Sequence, residues 1–384
     1  MRVAFYAPMK SPHAATPSGD REIARRLIAA LENAGHLVDV ASELRSFDGT
    51  GDDARQRAIA TDAAADADRY LLAVEAGARP MPDVWFTYHC YHKAPDHLGP
   101  RLGAALGVPY VIAEASVAPR RASGRWAQGY AAAHQAIACA DLIIGLNPRD
   151  EPGVRAVMKP GANYEHMPPF IDAASFGRTA DQREALRRQL SAEVGLPCDV
   201  AWILSVAMMR PGDKVASYKK LAEALRQLSD DLPPWRLLVV GDGDAKAEVV
   251  DAFAPLGDQV CWLGARNGGA LAEIYAAADI FAWPAVNEAL GMVFLEAGAS
   301  GLPVVAGYTD GVASIVRDGE TGLIAPMGDV SAFAEALAEL IISPAMRGRL
   351  GAEASRHVRA QHNVAAAAGR LDGLLRDLKR GGRG

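Results

Sequence analysis

The chain has 384 residues, too long for one ordinary α/β core and comfortable for two. Half of it is apolar and the formal net charge is -6, which excludes a disordered chain and argues against a nucleic-acid protein, whose phosphate contacts need a basic surface. No apolar run approaches the ~20 residues of a membrane span, and the start MRVAFYAPM lacks a signal-peptide pattern, so a cytoplasmic protein is expected.

In chain order, residues 3–7 predict a short buried strand, 8–19 a Pro/Gly/Ser loop, and 20–34 a helix. In that helix Ile23, Leu27, Ala30, Leu31 and Ala34 recur at helical spacing, Asp20 and Glu22 suit the dipole, and Gly35 serves as C-terminal cap. Strands follow at 36–41, 83–88, 109–113 and 141–145, with helical patterns between them, for example 124–140. The adjacent Pro168 and Pro169 resist helix and mark an interdomain linker. The second half repeats the grammar. Strands are expected at 201–206, 235–240, 260–263, 279–283 and 303–306, and helices at 218–228, 271–277, 332–342, 346–359 and 364–379. The expected organisation is a domain over 1–170, a second over 171–360, and a last helix within 361–384 that crosses back to the first. Both domains read as doubly wound α/β, with ligands at the carboxyl ends of strands. The four cysteines, Cys90, Cys139, Cys198 and Cys261, form no metal-ligand pair and are expected to be buried and reduced.

The densest chemistry lies in WPAVNEALGMVFLEA, residues 283–297. A strand ends at Pro284, a loop carries Glu288, and Gly291 opens a helix that contains Glu296. The free N–H groups and dipole of a helix start make an anion site, and Gly lets a ligand approach the backbone. Two carboxylates beside it can accept hydrogen bonds from vicinal hydroxyls. A sugar nucleotide needs that set.

This stretch resembles the glutamate–seven residues–glutamate motif of retaining glycosyltransferase family 4. The flanking runs YAAADIFAWP, EAGASGLPVVA and DGVASIVRDGETGLIAP extend the resemblance. It implies a GT-B fold, two Rossmann-like doubly wound domains facing across a cleft. It also implies transfer of a hexose from a nucleoside diphosphate sugar, UDP-linked by first expectation, to a hydroxyl of a glycan, lipid or small molecule. The anomeric configuration is kept, with no metal and no cofactor. By the same resemblance Glu288 contacts the donor sugar and Glu296 the ribose, while Leu290, Gly291 and Met292 offer backbone to the diphosphate. Arg210 and Lys214 neutralise that diphosphate. Their spacing is one residue shorter than the common form, which leaves Lys219 and Lys220 as substitutes for Lys214. Gly241 and Gly243 form a turn beside the nucleotide, and Arg266 falls near the base. Gly19 occupies the first domain's loop, where two glycines are common. His89 matches a position that touches the sugar hydroxyls, with His92 as substitute. Asp279 reads as structural. Glu114 and Arg120 are acceptor-side candidates; the basic, aromatic run at 120–126 suits an anionic acceptor or a membrane surface, so a peripheral membrane location stays open. Two alternatives accompany this reading: a sugar-nucleotide-binding protein that has lost transfer, and a GT-B epimerase or phosphorylase. The sequence leaves the acceptor and the oligomeric state open.

Overall fold

Strands buried on both faces read as continuous apolar runs, and such runs fold here as parallel strands joined by helices. The structure, a computed structural model, describes residues 1–16, 18–288 and 290–381. Its first sheet contains β1 (Arg2–Tyr6), β2 (Leu37–Ser42), β3 (Val84–Cys90), β4 (Tyr110–Ala115), β5 (Leu142–Gly145) and β6 (Asn163–His166), in the order β2-β1-β3-β4-β5-β6. The second contains β7 (Ala201–Val206), β8 (Trp235–Val240), β9 (Val260–Gly264), β10 (Ile280–Trp283), β11 (Val304–Gly307) and β12 (Gly322–Ala325), in the order β12-β11-β10-β7-β8-β9. Every pairing is parallel. Two doubly wound, Rossmann-like α/β sheets are therefore present, as expected.

The chain divides into two compact units. One holds residues from Met1 to Pro168 together with those from Val364 onward; the other is Pro169–Asn363. These limits lie a few residues from 170 and 360, for a local reason. Ile171 N–H donates to the His362 carbonyl at 2.9 Å, and His362 Nδ1 bonds the Pro169 carbonyl at 2.8 Å. Those bonds hold residues up to Asn363 in the second unit. The last helix, Val364–Gly381, packs on the helix Gly19–Asn33 of the first unit, and Lys379 Nζ reaches Asp83 at 2.7 Å.

Each unit has its own aromatic core. In the first, Phe5 stacks on Phe86 at 5.7 Å, and Trp85 meets Tyr6 and Tyr70. In the second, Tyr218 packs edge-on to Trp283 at 4.9 Å, with Phe281 and Phe294 alongside. Some expected boundaries move. Gly19 is the first residue of its helix, not the end of the loop, because the Ser18 side chain caps the helix by accepting from Arg21 N–H. The helix expected at 218–228 is Asp213–Arg226, so Lys214 sits in its first turn. Helices at Asp53–Glu75 and Ala180–Val194, and the short strands β6 and β12, were not singled out from sequence. The cysteines are free, but only Cys90 is buried; Cys198 is exposed, placed just before β7 where the chain is on the surface.

Candidate functional site

In an open α/β sheet the crevice forms where strand order reverses. In the second unit that point lies between β7 and β10, the first strand and its neighbour on the opposite side. Arg210 and Lys214 follow β7, and Glu288 follows β10. The topology thus brings together segments separated by 74 residues in sequence, and Lys214 Nζ meets Glu288 Oε2 at 2.5 Å. The buried Trp283 lies beneath both: its Nε1–H donates to the same Glu288 oxygen at 3.4 Å, and Lys214 Nζ lies 5.5 Å from its ring centroid. Among the described residues nothing engages Glu288 Oε1, which is left to accept from a ligand hydroxyl.

The loop that carries Glu288 is held on both sides. Ser217 Oγ accepts from Val286 N–H at 2.9 Å, Asn287 Nδ2 donates to Asp213 at 3.1 Å, and Thr309 Oγ1 donates to the Glu288 carbonyl at 3.0 Å. Ala285 and Asn287 take left-handed φ values of 57° and 52°. Such backbone is costly for non-glycine residues and persists where the surroundings over-determine it.

After this loop Gly291, at φ 54°, precedes the helix Met292–Ala299, whose first turn no side chain caps. A Cβ on Gly291 would stand 2.7 Å from the Phe294 ring, so only glycine fits there. Leu290 and Met292 are half-buried beside that uncapped start. Glu296 lies one turn into the helix and accepts from Tyr275 O–H at 3.1 Å.

The remaining second-unit candidates separate. Arg210 is exposed, and among the described residues no side chain pairs with its guanidinium. Lys219 pairs with Glu248 at 2.6 Å and Lys220 donates to the Gly328 carbonyl, so of the three lysines Lys214 is the one that meets Glu288. The Gly241–Gly243 turn is stitched to the Arg210 loop: Met209 N–H donates to Asp242 O, and Ala245 N–H to Met209 O, each at 2.9 Å. A Cβ on Gly241 would lie 1.9 Å from Ala207 O, and one on Gly243 2.4 Å from Met209 O. Arg266 is drawn to Glu193 at 3.3 Å across the surface. Asp279 is structural, as expected: it binds Arg187 at 2.9 Å and accepts from Trp202 N–H.

The first unit has its own reversal point, between β1 and β3. There His89, at φ 65°, forms a 2.7 Å hydrogen bond from Nδ1 to Asp20. Burial raises the Asp20 carboxyl, but the hydrogen bond and charge of His89 outweigh it and hold the group below its usual range. Glu114, at φ 61°, accepts from Leu146 N–H at 3.0 Å. Burial pushes its carboxyl up to about 7, against the opposing charge of His89. Gly19 begins the helix with open space around its Cβ position. Arg120 is exposed, whereas Trp126 in the same run is buried, so that run offers cations rather than an exposed aromatic.

Asp20, Tyr275 and Thr309 were not read as site residues. Asp20 looked like an ordinary first-turn acid; only its position after β1, opposite β3, could have paired it with His89. Tyr275 and Thr309 have no distinguishing local pattern.

Two doubly wound parallel sheets of this order in one chain are the architecture of the GT-B fold. Within the second unit, residues 191–357 match the model of the family glycosyl transferases group 1. The chain is 34% identical over 231 residues to D-inositol 3-phosphate glycosyltransferase of Actinosynnema mirum, covering 57% of this chain and 51% of that protein. It is 31% identical to GDP-mannose-dependent monoacylated alpha-(1-6)-phosphatidylinositol monomannoside mannosyltransferase of Corynebacterium glutamicum, covering 56% of this chain and 57% of that one. The chain thus spans about half the length of the curated relatives it matches. Sucrose-phosphate synthase from Thermosynechococcus elongatus superposes with a TM-score of 0.71 at 21% identity, over 99% of both chains, a likeness of fold.

Proposed function

We propose that the protein is a retaining glycosyltransferase that moves a hexose from a nucleoside diphosphate sugar to an acceptor hydroxyl. The observation that carries this reading is the Lys214–Glu288 pair at the β7/β10 reversal, next to the uncapped helix start at Gly291. Lys214 and Arg210 supply positive charge for a diphosphate, and the backbone from Leu290 to Met292 supplies donors. Glu288 Oε1 accepts from the sugar, and Glu296 from the ribose. Developing negative charge on the leaving diphosphate is stabilised by groups already in place, where most of the rate gain arises. That chemistry asks for no metal. Retention follows if the leaving phosphate takes the acceptor proton on the same face. His89 and Glu114 are the first unit's candidates for hydroxyl contacts. UDP is the first nucleotide to test and GDP the second, since one relative's name specifies GDP-mannose.

The test combines binding and turnover. UDP- and GDP-sugars are screened by thermal shift, because a true donor raises Tm by mass action. Glu288→Gln and Arg210→Ala are then assayed for donor turnover. Each should lose most activity with the fold intact; full activity in both would remove the site. Donor binding with neither transfer nor hydrolysis would instead indicate a binding protein without catalysis. Product formation without acceptor, or phosphate-dependent cleavage, would indicate an epimerase or a phosphorylase.

A further inference from the structure

The first unit carries a second concentration of charge that the donor chemistry does not use. Trp126 is its hub. The His92 ring packs edge-on to the indole at 5.4 Å, Lys93 Nζ lies 5.4 Å from the ring centroid, and Arg125 Cζ lies 5.8 Å from it. The short 3-10 turn Pro119–Arg121 adds Arg120 and Arg121. Burial lowers the His92 imidazole below its usual range, and the positive charges of Arg121, Lys93 and Arg120 lower it further, which favours the neutral ring.

Two features distinguish this cluster from a solvated basic face. First, among the described residues Lys93, Arg120, Arg121 and Arg125 pair with no carboxylate. Several other cations of the same unit do, Arg69 with Asp66, Arg155 with Glu151, Lys159 with Asp141 and Lys379 with Asp83, whereas Arg45 and Arg55 bond only backbone carbonyls. The nearby buried Asp48 cannot serve, because Thr50, Gly51, Asp52 and Gln56 already use its oxygens. Second, both ring nitrogens of His92 and the Nε of Arg121 are buried without a partner. Native structures leave few such groups, since each costs the desolvation of an unmade bond. Of this cluster His92 and Lys93 also line a cavity of about 210 Å³, together with Asp48, Gln56, Ile59, Pro95 and His97.

We propose that this cluster binds a phosphate ester, and that the phosphate belongs to the acceptor. Several cations and a neutral imidazole suit an oxygen-rich anion with two charges; a carboxylate would need a single fork. The cavity lies below the roughly 300 Å³ of drug-sized pockets. It suits a polyol headgroup rather than a whole lipid. A soluble phosphorylated polyol and a phospholipid headgroup present the same chemistry. Naming the ligand as acceptor rests on the glycosyltransferase reading; the anion site itself does not.

The experiment is calorimetry on the full chain with D-inositol 3-phosphate, unphosphorylated inositol and inorganic phosphate, at low and high salt. Vesicles with and without phosphatidylinositol form a parallel arm. The phosphorylated polyol should bind at least tenfold more tightly than inositol and weaken with salt. Arg121→Gln and Lys93→Gln should each weaken it about tenfold, and exposed Arg120→Gln about threefold, with UDP or GDP binding unchanged in all. If Arg121→Gln does not fold, the other two variants decide. Arg121- or Lys93-dependent binding to phosphatidylinositol vesicles alone assigns the phosphate to a lipid and supports the proposal. Equal binding of inositol and its phosphate, binding of neither with no vesicle binding, or variants that bind as wild type, each overturn it. Loss of this proposal with nucleotide binding intact leaves the donor reading standing. Phosphate binding without any nucleotide binding removes the donor reading and keeps the anion site.

Discussion

Replacing Glu114 by Gln separates a desolvated carboxyl from an ordinary one. A free glutamate ionises near 4.5, whereas burial raises Glu114 to about 7. The native state therefore keeps a proton that the unfolded chain has released across that window. Stability falls as pH rises from about 4.5 to about 7, and the loss is complete above the native value. Linkage converts that difference to about 3 kcal/mol against an exposed carboxyl. The amide oxygen of Gln can still accept from Leu146 N–H, and the backbone keeps its φ of 61°. Glu114→Gln should thus match wild type within about 1 kcal/mol near pH 4.5 and exceed it by about 2–3 kcal/mol at pH 8. Urea unfolding across that range, by circular dichroism and tryptophan fluorescence with separate transitions where the units melt apart, measures the difference. Carbon-13 NMR of the wild-type carboxyl gives the pKa directly. A difference constant with pH, or titration near 4.5, would refute the argument.

Lys214→Met removes the cation from Glu288. A charge-assisted bond of about 1.5–3 kcal/mol should then be missing from the site, so nucleoside diphosphate affinity should fall ~10–100-fold by calorimetry. Unchanged affinity would place the diphosphate elsewhere. Gly241→Ala sets a Cβ 1.9 Å from Ala207 O and must move backbone, so urea unfolding of the second unit should show a loss of about 1–3 kcal/mol. Wild-type stability would deny the close approach. Tyr275→Phe deletes one hydrogen bond to Glu296 and should weaken binding of the nucleoside diphosphate about three- to tenfold. Inorganic pyrophosphate binding should be unaffected; an equal loss for both ligands would contradict a ribose role for Glu296.

Much of the candidate site is local, and local features are readable. A strand ending at Trp283, a glycine at 291 and a helix containing Glu296 occupy one short segment, so turn chemistry and the helix start follow from adjacent residues. The Lys214–Glu288 contact is different. Their types were legible, but three lysines competed, and only the fold shows that Lys219 turns to Glu248 and Lys220 to the Gly328 carbonyl while Lys214 meets Glu288. Asp20 and His89 stand 69 residues apart, and only strand order places one beside the other. Trp126 looked available beside Arg120 and Arg125, yet packing buried it and left the cations outside.

The sequence by itself determined the two α/β units, through buried apolar runs and helical spacing. It also determined the carboxylates and glycines of the β10 segment, because periodicity and turn requirements act over a few residues. Tertiary structure alone decided which lysine meets Glu288, which acid holds His89, and how far Glu114 departs from an ordinary carboxyl. Those depend on long-range strand order and on burial, and neither distance through space nor desolvation is written in any short stretch of chain.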